Sequence, residues 1–280
     1  MNATGKIVEA RKLIDAARFE GKRVGFVPTM GALHAGHVSL IRRAREENGY
    51  VVVSIFVNPT QFGPNEDLSK YPRTFADDLE ACKAAGADLV FHPEPDEVYP
   101  AGMSTTVSVA GVTDPMEGEH RPGHFDGVAL VCAKLFNIVG ACSAYFGEKD
   151  AQQVRVIERM AADLDMPVEV VRCPTVRDAD GLALSSRNRY LEREDRRRAS
   201  SLPRALRSVE EGVANGERSA SVLLDRARQL LDADAVDYFE IVDSSTLQRV
   251  ATVDGPVLVC GAIRLGVTRL IDNISVGGAR

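Results

Sequence analysis

The chain has 280 residues, 45% of them hydrophobic and 26% charged, a composition that excludes a disordered or low-complexity protein. Its 34 Lys and Arg against 40 Asp and Glu leave a formal net charge of −6, so no overall basic field draws it to nucleic acid or an anionic membrane, and any anion must be held by a local pocket. The longest apolar runs, such as residues 50–57, fall far short of the ~20 residues of a membrane span, and no signal-peptide core is found, so a cytoplasmic protein with no membrane partner is expected.

In chain order, the β-branched run 24–27 predicts a strand, residues 36–47 a helix and residues 51–57 a second strand. Residues 74–82 read as a helix with Thr74 at its N-cap, acidic residues in its first turn and Gly86 at its end, followed by a strand over 88–91. Residues 125–139 make a helix apolar on nearly every face, and the strand 144–146, the helix 152–164 and the strand 168–171 complete the series. Strands apolar on both faces, separated by helices, require a parallel sheet covered on both sides. Residues 1–175 are therefore expected to form a doubly wound, Rossmann-like α/β domain. After Arg187 the texture changes: a charge run over 192–198, a helical pattern over 208–231, then strands over 236–242, 257–260 and 262–272. Helices followed by consecutive strands predict a smaller α+β domain over 176–280.

Residues 28–37, PTMGALHAGH, fill the loop between the first of those strands and its helix. In open α/β sheets ligands sit beyond the carboxyl ends of the strands, and a helix N-terminus there favours anions. His34 and His37, at i and i+3, share one face of the first turn, while Gly31 and Gly36 let the backbone approach a bulky anion. The pattern points to a nucleotide phosphate. A zinc pair is the competing reading, with His92, His120 or His124 supplying a third ligand through the fold. The cysteines at 82, 132, 142, 173 and 260 show no C-x-x-C spacing and read as buried thiols outside any disulfide.

The H-A-G-H at 34–37 resembles the H-x-G-H signature of the nucleotidyltransferase superfamily. More specifically, residues 28–37, VNPTQFGPNEDLSKYPRT at 57–74, EGEHRPGHFDGV at 117–128, YFGEKDAQQ at 145–153 and DGLALSSRNRYL at 180–191 recur in this order in the pantothenate synthetase (pantoate–β-alanine ligase) family, which this chain resembles over nearly its whole length. The resemblance implies ATP-dependent condensation of pantoate with β-alanine through a pantoyl adenylate, with Mg²⁺ and ATP required and a homodimer formed through the first domain. It assigns catalysis to His34, His37, Lys149 and Arg187, and ATP binding to these together with Met30, Gly31, Gly147, Glu148, Asp150, Val176, Leu184, Ser185 and Ser186. Met30, Gln61 and Gln153 would hold pantoate or β-alanine, Asn58, Tyr71, Glu117 and Arg121 would support the pocket, and Asp77 and Asp78 would order the metal or its waters. Residues 58–72 would form a flap, and the second domain a lid. Ala151 departs from the family, which often carries an aromatic residue there. A nucleotidyltransferase acting on a phosphate ester and a catalytically silent nucleotide-binding module are the alternatives.

Overall fold

The structure is a computed structural model that describes residues 1–64, 66 and 68–277. Asn65 and Asp67, in the expected flap, lie outside the described residues. The chain divides into two compact units, the first comprising Met1–Thr113, Arg121–Gly147 and Gln153–Pro174, the second Asp114–His120, Glu148–Gln152 and Thr175–Arg280. Two short segments from within 1–175 thus cluster with the second unit, a grouping that hydrophobic patterning has no means of revealing.

The first unit contains β1 (Asn2–Thr4), α1 (Ile7–Phe19), β2 (Val24–Thr29), α2 (Ala35–Glu47), β3 (Tyr50–Ile55), α3 (Phe75–Ala84), β4 (Leu89–Phe91) and α4 (Pro95–Val98). After α5 (Glu117–His120), which belongs to the second unit, come α6 (His124–Val139), β5 (Cys142–Gly147), α7 (Ala151–Asp163) and β6 (Val168–Cys173). The six strands form one sheet in the order β1-β4-β3-β2-β5-β6, every pair parallel. Alternate side chains enter opposite layers: Phe26, Val52, Leu89 and Phe146 pack with α1, α6 and α7, whereas Val27, Val53, Val90 and Tyr145 pack with α2 and α3. This two-sided burial is why the strands read as unbroken apolar runs. The chain winds outward from β2 through β3 and β4, then from β5 to β6 on the other side, so the topological switch falls between β2 and β5. That is where such sheets open a ligand crevice at their carboxyl ends.

The second unit holds α8 (Arg193–Ala199), α9 (Ser201–Ala214), α10 (Ala220–Arg228), β7 (Ala235–Asp243), β8 (Val257–Leu265) and β9 (Thr268–Val276). The strands form an antiparallel meander in the order β7-β8-β9. Leu202, Leu206 and Val209 of α9 and Leu223 of α10 cover it, forming a core with Phe239, Val259 and Ile263. The expected α+β organisation is present, with two local corrections. The helical pattern over 208–231 is interrupted at Gly216, whose φ of +94° ends α9. The strand expected to break at Gly261 instead runs through it, Gly261 pairing with Phe239 and Asp272 on either side; glycine suits the position because a Cβ there would stand 2.8 Å from both Leu202 Cδ1 and Phe239 Cδ2. The turn comes at Gly266, inside the segment expected to be extended.

Candidate active site

In the first unit the loop after β2 carries Met30, Gly31 and His34 to the start of α2. His34 is the N-cap of α2, and its ring stacks on that of His37 with centroids 4.1 Å apart and a 33° tilt. The His34 backbone N–H donates to His37 Nδ1 over a long 3.4 Å. With Nδ1 accepting, the neutral His37 ring carries its hydrogen on Nε2, the atom suited to donate to a phosphate oxygen. The helix N-terminus adds its own partial positive charge. Imidazole pairing here is thus a product of helix periodicity and of the switch-point position of the loop.

Asp77 is exposed, whereas Asp78 is buried. The Asp78 carboxylate accepts from the backbone N–H groups of Ala32 at 3.0 Å and Leu33 at 2.8 Å, and from Thr74 Oγ1 at 3.3 Å. Thr74 precedes α3 as expected but makes no side-chain cap to its backbone.

Gln61 is buried on a turn, Pro59–Gln61, that follows β3. Asn58, 1% exposed, fixes it by donating from Nδ2 to Gln61 Oε1 at 3.0 Å and to Gly127 O at 3.1 Å. Asn58 Oδ1 in turn accepts from Tyr99 Oη at 2.7 Å and Thr60 Oγ1 at 2.9 Å. His124 Nδ1 donates to the Gln61 carbonyl at 2.9 Å, and Arg121 donates to His124 Nε2 at 3.0 Å, which sets the His124 tautomer. Arg121 also grips Glu66 through two 2.7 Å bonds, anchoring the middle of the expected flap. His124 is thereby engaged with Gln61 and Arg121, and His92 stacks on Phe75 at 4.5 Å. Among the described residues no group of three His, Cys, Asp or Glu side chains forms a metal cage. Tyr71 is buried edge-on against Phe62, and Gln153 lies half-buried near the start of α7.

In the second unit Leu184 N donates to Val176 O at 2.9 Å, so these two expected adenine neighbours face each other across a tight hairpin closed by an Arg177–Ala183 bridge. Ser185 Oγ accepts from Arg187 N at 3.3 Å and starts the short 3-10 turn Ser186–Tyr190. Arg177 forms a bidentate pair with Asp272 at 2.6 and 2.9 Å and so ties the hairpin to β9. The next residue, Asn273, donates from Nδ2 to the carbonyls of Glu148 at 2.9 Å and Lys149 at 2.8 Å. The turn Glu148–Asp150 is therefore held from β9, while Lys149 Nζ lies 3.5 Å from Asp150. Glu117 is buried and accepts from Arg269 at 2.6 and 2.9 Å and from Tyr238 Oη at 2.9 Å.

Sequence reasoning missed Tyr99, His124 as a support of Gln61, and the Arg177–Asp272–Asn273 group. A faint signal for the last was the adjacent polar pair Asp272-Asn273 set between Ile271 and Ile274.

A parallel sheet with paired imidazoles on a helix mouth at its switch point defines an α/β nucleotide-binding enzyme of the H-x-G-H type. The model of the family described as pantoate-beta-alanine ligase matches residues 2–275. The pantothenate synthetase of Caldicellulosiruptor saccharolyticus is 48% identical over 99% of each chain, and that of Herpetosiphon aurantiacus 52% identical over 96% of this chain and 99% of its own. Among solved structures, pantothenate synthetase from Thermus thermophilus superposes with a TM-score of 0.93 at 46% identity, covering 98% of this chain and 99% of that one. Pantoate-beta-alanine ligase from Francisella tularensis, solved with beta-gamma ATP and β-alanine, gives a TM-score of 0.81 at 33% identity over 98% and 97% of the two chains. The chain belongs to the pantoate-beta-alanine ligase family.

Proposed function

We propose that the chain condenses pantoate with β-alanine in two steps driven by ATP. A pantoate carboxylate oxygen attacks the α-phosphorus, the bond to the bridging oxygen breaks, and its electron pair leaves with pyrophosphate. The β-alanine amine then attacks the acyl carbon of pantoyl adenylate, the acyl C–O bond breaks with its electron pair going to AMP, and the amine loses its proton. An anion meeting a triphosphate is a charge problem, so preorganised donors and cations supply most of the catalysis.

In this reading His34 and His37 donate to the phosphates, and Lys149 and Arg187 neutralise charge on the leaving pyrophosphate. Ser185 and Ser186 bind phosphate oxygens, and Gly31 lets the loop backbone come close to them. Gly147, Glu148 and Asp150 meet the ribose side, and the backbones of Val176 and Leu184 meet adenine. Gln61 and Gln153 hold the pantoate hydroxyls and carboxylate without adding charge, with Met30 lining the same pocket. The second unit serves as a lid over ATP. Mg²⁺ would enter as the counterion of ATP and offset its charge. This suits a chain whose Asp78 oxygens already accept two backbone N–H groups.

The observation that carries the reading is the stacked His34 and His37 pair beyond β2, in a chain matched to this family over residues 2–275. Pyrophosphate exchange into ATP that requires pantoate is the expected result, followed by AMP release on addition of β-alanine. Lys149→Ala should lower the exchange rate about 100-fold or more. Exchange that ignores pantoate but responds to a phosphorylated alcohol would defeat it. Closure of residues 58–72 over the adenylate would exclude water, and saturating ATP plus pantoate should then slow proteolysis in that loop. Among the described residues no helix is long and apolar enough to cross a membrane; a cytoplasmic location belongs to the reading and not to that absence. A homodimer joined through the first domain belongs to the same reading, and sedimentation should give twice the 30.3 kDa of one chain.

A further inference from the structure

We infer that Asp78 is a positioning residue, an internal anion that locks the loop before His34 into its working conformation, and not a ligand of the metal; the inference rests on the nucleotide-site reading above. Gly31 and Ala32 have φ of +80° and +50°. An L-residue such as Ala32 is disfavoured in the left-handed region, so something must hold the loop there. Two successive backbone N–H groups in such a turn converge into a concavity that attracts anions. In other folds a ligand phosphate fills such a concavity. Here it is filled from within, by Asp78 Oδ2 on Ala32 N at 3.0 Å and Oδ1 on Leu33 N at 2.8 Å, with the side chain only 2% exposed.

The fit is mutual. A Cβ at Gly31 would come within 3.0 Å of Asp78 Oδ2 and 3.1 Å of Ile55 Cγ2, so glycine makes the room the carboxylate occupies. Thr74 Oγ1, one turn earlier on the same side of α3, adds a 3.3 Å bond to Oδ1 and restricts the Asp78 rotamer. Asp78 also lies in the first turn of α3, where the helix dipole favours its negative charge. A cation approaching these oxygens would face the positive ends of two backbone N–H dipoles, an arrangement that repels it. The consequence reaches the site through the main chain: with Ala32 and Leu33 pinned, His34 enters α2 as its N-cap and its ring is delivered onto His37.

The test compares Asp78→Asn, Asp78→Ala and Thr74→Val in pantoate-dependent pyrophosphate exchange, with ATP and Mg²⁺ titrated separately. Loss of both bonds to a charged acceptor should raise the KM for ATP about 10- to 100-fold in Asp78→Ala, less in Asp78→Asn, which keeps one acceptor, and least in Thr74→Val. The Mg²⁺ concentration for half-activation should stay within about twofold of the parent, since no metal contact is lost. Amide hydrogen exchange at Ala32 and Leu33, slow in the parent, should become fast in Asp78→Asn while the strand amides stay protected. A large shift in the Mg²⁺ midpoint with the KM for ATP unchanged at saturating Mg²⁺ would overturn the inference. So would fast exchange at Ala32 and Leu33 in the parent protein, a measurement that stands even if Asp78→Ala does not fold. A parent without exchange activity would sink the functional reading instead, and the amide measurements would then decide the inference by themselves.

Discussion

Asn273 shows how much one buried amide can control at a distance of more than a hundred residues along the chain. Its Nδ2 group donates to the Glu148 and Lys149 carbonyls, which flank the Cα that carries the Lys149 side chain. Replacing it by Ala should cost about 2 kcal/mol of loop ordering, the sum of two ordinary hydrogen bonds. We expect Asn273→Ala to lower kcat in pyrophosphate exchange about tenfold, the rate equivalent of slightly less than that cost, while the KM for pantoate stays unchanged. A variant with unaltered kcat would show that the Lys149 turn is held without it. That His34 and His37 would share one helical turn could be read from the sequence, because i, i+3 spacing is a local quantity. The partners of Asn273 and Asp78 could not, since a polar residue in a strand or a first helical turn does not disclose which backbone group it will meet. For Asp78 the helix dipole was already a sufficient local explanation, and it concealed the contact to a loop more than forty positions earlier.

Helix α6 sets the position of the Gln61 turn because it carries glycine where that turn crosses it. A Cβ on Gly127 would stand 2.4 Å from Thr60 O and 2.7 Å from Gln61 Cα, both backbone atoms that cannot rotate away. Gly127→Ala should therefore displace the turn, destabilise the fold by about 1–3 kcal/mol through overpacking, and raise the KM for pantoate more than that for ATP. An unchanged ratio of the two KM values would break the link between α6 and Gln61. In the second unit α5 is secured by the Glu117–Arg269 pair. Arg269→Met should destabilise the protein by about 2–3 kcal/mol, because it strands the buried Glu117 carboxylate, although the partly exposed position of Arg269 lets water reach the site. Adding Glu117→Leu should recover only part of the loss in urea denaturation, because it relieves the stranded carboxylate but also removes the acceptor of the buried Tyr238 hydroxyl. Element types could be read from periodicity, but their ends at Gly216 and Gly266 could not. Gly261 and Gly266 look alike in sequence; one admits neighbouring side chains and the other turns the chain with φ +54°.

For the molecule as a whole, burial decides the behaviour at alkaline pH. It pushes the thiols of Cys82, Cys132 and Cys142 up to about 12 from an ordinary 9.0, and that of Cys260 further still. Burial, reinforced by Glu47, likewise raises the Tyr145 hydroxyl to about 12. A group whose folded pKa is raised favours the folded state while it stays protonated. Its contribution is complete below the unfolded value and is lost as pH climbs toward the folded one. Unfolding free energy from urea titrations should accordingly fall between about pH 9 and 12, and iodoacetamide at pH 8 should leave the buried thiols of Cys82, Cys132 and Cys260 unmodified in the folded protein. Rapid alkylation of Cys82 or Cys132 would contradict the packing of both sheet faces. The sequence by itself determined the two-part α/β and α+β organisation, the residue types of the phosphate loop and the family, because hydrophobic period and motif spacing are local quantities that survive without coordinates. Tertiary structure alone decided that α5 and the Lys149 turn belong with the second unit, that Asp78 caps the His34 loop and that Asn273 holds the Lys149 turn. These are meetings between residues far apart in the chain, and only packing selects which polar groups are left facing one another once water is excluded.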